Sequence, residues 1–92
     1  MKLDIVTPEG SLFSGEVDSI IVPGVNGAFE MLNNHAPIVA ILQKGEIKMK
    51  GNQINIDENV KERFTVNQNE VILPINSGTV EMKNNKVIVL AE

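Results

Sequence analysis

Apolar and polar residues alternate with a period of two along most of this chain. Leu3 and Ile5 flank Asp4. Ile47 and Met49 sit among Glu46, Lys48 and Lys50, and Val80 and Met82 sit beside Glu81 and Lys83. Ile54 with Ile56, and Phe64 with Val66, repeat the pattern. Successive side chains of a strand point to opposite faces, so this period selects half-buried strands. No window of about 11 residues carries an apolar stripe at the helical spacing of 3.6.

Turn chemistry interrupts the alternation at short intervals. Thr7-Pro8-Glu9-Gly10, Ser14-Gly15-Glu16, Pro23-Gly24, Asn33-Asn34, Lys44-Gly45 and Asn67-Gln68-Asn69 each end a run. Lys83-Asn84-Asn85-Lys86 places residues tolerant of positive φ where a two-residue hairpin needs them. Pro37 to Leu42 is apolar at consecutive positions, which predicts a strand buried on both faces. Pro74 predicts an edge or a bulge, because proline donates no ladder hydrogen bond. Asp57 to Arg63, the most charged stretch, reads as a solvated hairpin end or one helical turn. Short strands recurring every 8–12 residues or so predict an all-β fold, an antiparallel sandwich or barrel.

The chain has 92 residues, enough for one domain, and no linker or repeat divides it. Phe13, Phe29 and Phe64 are its only aromatics, so the core must be built from Ile, Val, Leu and Met. Ile41 and Val89 are the expected centre of that core. With no cysteine, disulfides and thiolate chemistry are excluded. Twelve acidic against eight basic residues give a net charge of −4, the wrong sign for neutralising nucleic-acid phosphates. The apolar run from Ala36 to Leu42 is far shorter than the roughly 20 residues that span a bilayer, so no bilayer insertion is expected. Met1-Lys2-Leu3-Asp4 opens no secretory signal, and the expected location is cytoplasmic.

Catalytic chemistry is not legible. His35 is the only histidine, and no carboxylate near it in sequence would orient it as a base. One histidine and scattered carboxylates make no ligand set, so no metal or cofactor is expected. Gly24-Val25-Asn26-Gly27 lacks the Lys-Ser/Thr of a phosphate-cradling loop and opens no helix. It reads instead as a tight exposed turn at one end of a sandwich, where β domains commonly carry binding residues.

Taken in order, the turns are more specific than any one of them. Ile5-Val6-Thr7-Pro8-Glu9-Gly10, Leu12-Phe13-Ser14-Gly15-Glu16-Val17, Val22-Pro23-Gly24 with Gly27, and His35-Ala36-Pro37 follow one another. Lys44-Gly45-Glu46-Ile47, Asn76-Ser77-Gly78-Thr79-Val80 and Val87-Ile88-Val89-Leu90-Ala91 complete the series. This order resembles the N-terminal β-sandwich domain of the epsilon subunit of F-type ATP synthases, called delta in mitochondria, over nearly the whole chain. The resemblance implies a sandwich of two roughly five-stranded sheets and a non-enzymatic rotor part of the central stalk. It implies the gamma subunit and the c-ring as partners, within the catalytic alpha/beta assembly, at the cytoplasmic face of the membrane. On the family's pattern, the ring-facing loop maps onto Gly24, Val25, Asn26, Gly27, Ala28, Phe29 and Glu30, with Asn33, Asn34 and His35 nearby. Asn34 and His35 fall at the gamma or ring interface.

Three departures accompany the resemblance. Ala28 stands where many relatives carry an acidic residue, leaving Glu30 as the nearby charge. Residues 51–70 read as an enlarged loop or hairpin of roughly a dozen added residues. No segment matching the two-helix regulatory domain of bacterial relatives follows Glu92, so inhibition through that domain is not expected. The alternative reading is a free-standing β-sandwich module for a ligand or peptide; the absence of Trp and Tyr leaves it no aromatic platform for sugars.

Overall fold

The computed structural model describes residues 1–92, which form ten strands and one 3₁₀ turn. In chain order the strands are β1 (Lys2–Thr7), β2 (Gly10–Glu16), β3 (Ser19–Gly24), β4 (Gly27–Leu32) and β5 (Ile38–Leu42). After them come β6 (Gly45–Lys50), β7 (Thr65–Asn67), β8 (Glu70–Ile75), β9 (Gly78–Lys83) and β10 (Lys86–Ala91). They make two five-stranded layers, β2-β1-β10-β9-β5 and β4-β3-β6-β8-β7, joined where Gly24 of β3 pairs with Leu42 of β5. The expected sandwich is therefore present, as one sheet curled on itself at a corner. Pairing is antiparallel except between β1 and β10, which run parallel. The parallel pair closes the first layer by bringing the first strand beside the last.

The corner has a local cause. Only Gln43 and Lys44 separate β5 from β6, so one nearly continuous stretch of chain passes from the first layer into the second. The peptide N–H of Gln43 donates to Pro23 and that of Val25 to Ile41, which seals the β3–β4 hairpin across the bend. A Cβ on Gly45 would come within 2.7 Å of the Pro23 ring, so the bend needs a residue without a side chain there.

The core agrees with the period-two reading. Leu3, Ile5, Ile20, Val22, Ile47, Met49, Leu73, Val80, Met82, Val87 and Val89 are essentially sealed, joined by Met31 and Leu42. Leu12 and Phe13 break the alternation because the β1–β2 register slips between Ile5 and Val6, and both side chains turn inward at that bulge. Asn84 and Asn85 have φ of 53° and 60°, the conformation their hairpin demands. Pro74 pairs with Glu46 and lies past the last β7 contact at Ile72, so its missing N–H faces an unpaired edge.

Three expectations fail. The strand Ile38–Leu42 is not buried on both faces: Val39 is 74% and Ile41 63% exposed, so Ile41 is not a core residue whereas Val89 is. Ile54 and Ile56 form no strand. They lie half-buried in the irregular stretch between β6 and the 3₁₀ turn Lys61–Arg63, where the charged run takes the helical-turn alternative. Their packing against the core, without a ladder partner, is enough to produce apolar alternation. Phe64 anchors the end of this excursion in the core, and its Asn55–Asp57 part lies beside β2, at the layer edge opposite β5.

Candidate protein-docking surfaces

The β3–β4 hairpin turns through Val25 and Asn26, with Gly24 paired to Gly27 and Gly27 at φ 121°. Val25, Asn26, Gly27, Ala28 and Glu30 are exposed, Phe29 is half-buried against the core, and Gly24 is buried. The predicted loop thus exists as a tight two-residue turn with the first half of β4. Its backbone faces neither a helix terminus nor a cluster of cations. No group of His, Cys, Asp or Glu suited to a metal is assembled anywhere in the chain.

Asn34 and His35 do not sit beside that turn, which corrects the expected grouping. The six residues of β4 carry the chain about 17 Å from Gly27 to Leu32 before the connection to β5 begins. That connection lies at the opposite end of the sandwich, against the β9–β10 hairpin. There the N–H of Asn34, at φ 64°, donates to the Asn85 side chain at 2.7 Å. The Nδ1–H of His35 donates to the carbonyl of Ala36 at 2.7 Å, which pins the ring to its own loop. Asn33 accepts from the amine of Met1, which also donates to the Val17 carbonyl and lies 3.4 Å from a Glu16 oxygen. This end is a cross-braced set of loops built from polar side chains.

Between the two ends lies a surface the sequence did not single out. Val39, Ile41, Ile88 and Leu90 all project from the outside of the β5-β9-β10-β1 layer, between 43% and 74% exposed, with Val6 half-exposed beside them. Ile41 forms a ridge between two open depressions. A groove of about 520 Å³ runs by Val6, Pro8, Thr79 and Leu90, and another of about 600 Å³ opens between Phe29, Ile38 and Ala40. The consecutive apolar residues at 38–42 and 87–91 were the available signal. A strand apolar at every position is buried on both faces only if something covers both, and here one face is bare. Contiguous exposed apolar surface of this kind marks sites of protein interaction.

The whole chain, residues 1–92, matches the family model described as the ATP synthase delta/epsilon chain β-sandwich domain. An ATP synthase epsilon chain from Chlorobium limicola is 36% identical across 99% of this chain and 88% of its own length. Another, from Dehalococcoides mccartyi strain BAV1, is 37% identical across the entire chain, which spans 55% of that relative's length. The chain thus covers about half of some curated relatives and most of others. A Tetrahymena thermophila chain, from a structure titled mitochondrial ATP synthase central stalk and c-ring, superposes with a TM-score of 0.73. It covers 99% of this chain and 62% of the other at 13% identity, and so speaks for the fold alone.

Proposed function

The chain belongs to the ATP synthase delta/epsilon β-sandwich family, and from that premise we propose that it is a non-catalytic rotor part of the central stalk. In this reading it couples the c-ring in the membrane to the gamma subunit during proton-driven ATP synthesis. The observation that supports the reading is the match of residues 1–92 to that family, and the continuous aliphatic core of the sandwich suits the role. Close-packed interiors transmit strain rather than absorb it, which suits a part that must pass torque between two partners.

In this reading the contacts fall at two places. The exposed Val25–Asn26 turn, with Gly24, Gly27, Ala28, Phe29 and Glu30, is the ring-facing end. Gamma covers the apolar face around Ile41 and Leu90 and reaches Asn34 and His35 at the far end. The turn and His35 lie at opposite ends of β4, so in this reading one flat ring surface meets the turn and His35 falls to gamma. The excursion between Gly51 and Phe64 elaborates the edge near β2 and leaves both contacts free. No helix of the structure is long and apolar enough to cross a membrane; in this reading the domain meets the membrane through its partners in the assembled complex.

Cysteine placed at Asn26 and, separately, at Asn34 tests this division by disulfide or short-linker cross-linking in membranes carrying the assembled enzyme. The Asn26 variant is expected to join the ring loops and the Asn34 variant to join gamma. Cross-linking of Asn34 to the ring, or of neither position to any stalk component, would sink the reading.

A further inference from the structure

The outside of the β5-β9-β10-β1 layer is ordered in rows, because residues paired across strands project to the same side. Nearest the β3–β4 turn, the row is Ile41, Thr79, Leu90 and Val6. The next row, two residues along each strand, is Val39, Glu81, Ile88 and Asp4. The third row, at the end that carries His35, begins with Lys83, Lys86 and Lys2 side by side. Successive rows are about 7 Å apart.

These charges are not spent on the sheet itself. The ion pairs of the protein join the Met1 amine to Glu16 and Lys61 to Glu58, and neither the three lysines nor Asp4 and Glu81 take part. Like charges directly opposite on neighbouring strands disfavour the sheet, yet three lysines are stacked there. Along the strands the face therefore reads apolar, then apolar alternating with acidic, then basic. On a chain of net charge −4, three of the seven lysines are gathered at one end of one face.

Given the reading of this face as the gamma contact, we infer that the row order fixes which way gamma lies across it. The covering segment of gamma carries apolar side chains over Ile41 and Leu90, a cation over Asp4 and Glu81, and a carboxylate over Lys2, Lys83 and Lys86. Complementary potentials of this kind set register and suppress wrong partners more than they add raw affinity. A second copy of this chain is the wrong occupant. Stacked row on row, lysines meet lysines and carboxylates meet carboxylates; stacked in reverse, the apolar row meets the lysine row.

Exchanging the order without changing the net charge tests the inference. Glu81→Lys combined with Lys83→Glu alters two exposed side chains, and thermal unfolding verifies that the fold is kept. Binding of the 92-residue chain to purified gamma is measured by calorimetry at low salt and again at about 0.5 M salt, where exposed charges are screened. The exchanged variant is expected to bind gamma at least about tenfold more weakly at low salt, with the gap narrowing at high salt. Binding within about twofold of the wild type at low salt would overturn the row order while leaving gamma docking intact. Ile41→Asp supplies the other arm. If it binds gamma as well as the wild type, or if the wild type does not bind at all, the docking reading itself falls. Sedimentation of the free chain is expected to show a monomer, and a dimer broken by Ile41→Asp would assign the face to a second copy instead.

Discussion

The two sides of strand β10 are made from the same kinds of residue and do different work. Val87, Val89 and Ala91 point inward and are sealed in the core, whereas Ile88 and Leu90, one position away in each case, stand 43% and 53% exposed. The same contrast holds on β5, where Leu42 is buried and Ile41 is not. Hydrophobic character alone therefore does not separate structure from function here. Burying the inner set stabilises the fold by roughly 25 cal/mol for each Å² of apolar surface removed from water. The outer set contributes only part of such a term until a partner covers the rest. An apolar residue left bare at this cost in solubility is better explained by a partner than by the fold.

The contrast breaks if truncating either side has the same effect. Ile5→Ala, on the inner side of the same layer, should lower the unfolding free energy by about 2–5 kcal/mol through lost burial and a residual cavity. A denaturant midpoint close to the wild type would show that the inner side is not the core. At an intermediate scale, Asn85→Ala removes a residue at φ 60° and the acceptor for the Asn34 N–H, and should cost about 1 kcal/mol. Amide exchange at Asn34 should quicken in that variant, and unchanged protection there would deny that the far-end loops are braced through this hydrogen bond. The smallest effect is expected at Ile41→Ala, within about 0.5 kcal/mol of the wild type in thermal or chemical unfolding. A loss above about 2 kcal/mol would return Ile41 to the core and remove the distinction between the two sides.

Much of the fold was legible in the sequence because period-two alternation and turn chemistry are local. Ile47 and Met49 went inward and Glu46 and Lys50 outward as their spacing requires, and Asn84-Asn85 made the hairpin that two φ-tolerant residues make. Reading Pro37 to Leu42 as doubly buried failed for a non-local reason. A continuous apolar run says that both faces of a strand avoid water, not whether the chain itself or another molecule supplies the cover. The separation of Asn34 and His35 from the Val25–Asn26 turn was hidden in the same way. Eight residues apart in sequence, His35 and Gly27 stand at opposite ends because β4 runs straight between them.

The sequence by itself thus determined the strand content and the aliphatic inner face, since each rests on residue type at short spacing, and the order of its turns along the whole chain carried the resemblance to the family. Tertiary structure decided the rest. Only the pairing of β1 with β10, and of β9 with both β5 and β10, brings Ile41, Leu90 and Val6 into one row and Lys83, Lys86 and Lys2 into another. Those neighbours lie up to 84 positions apart in the chain. No local pattern encodes such a surface, because its rows run across the strands while the sequence runs along them.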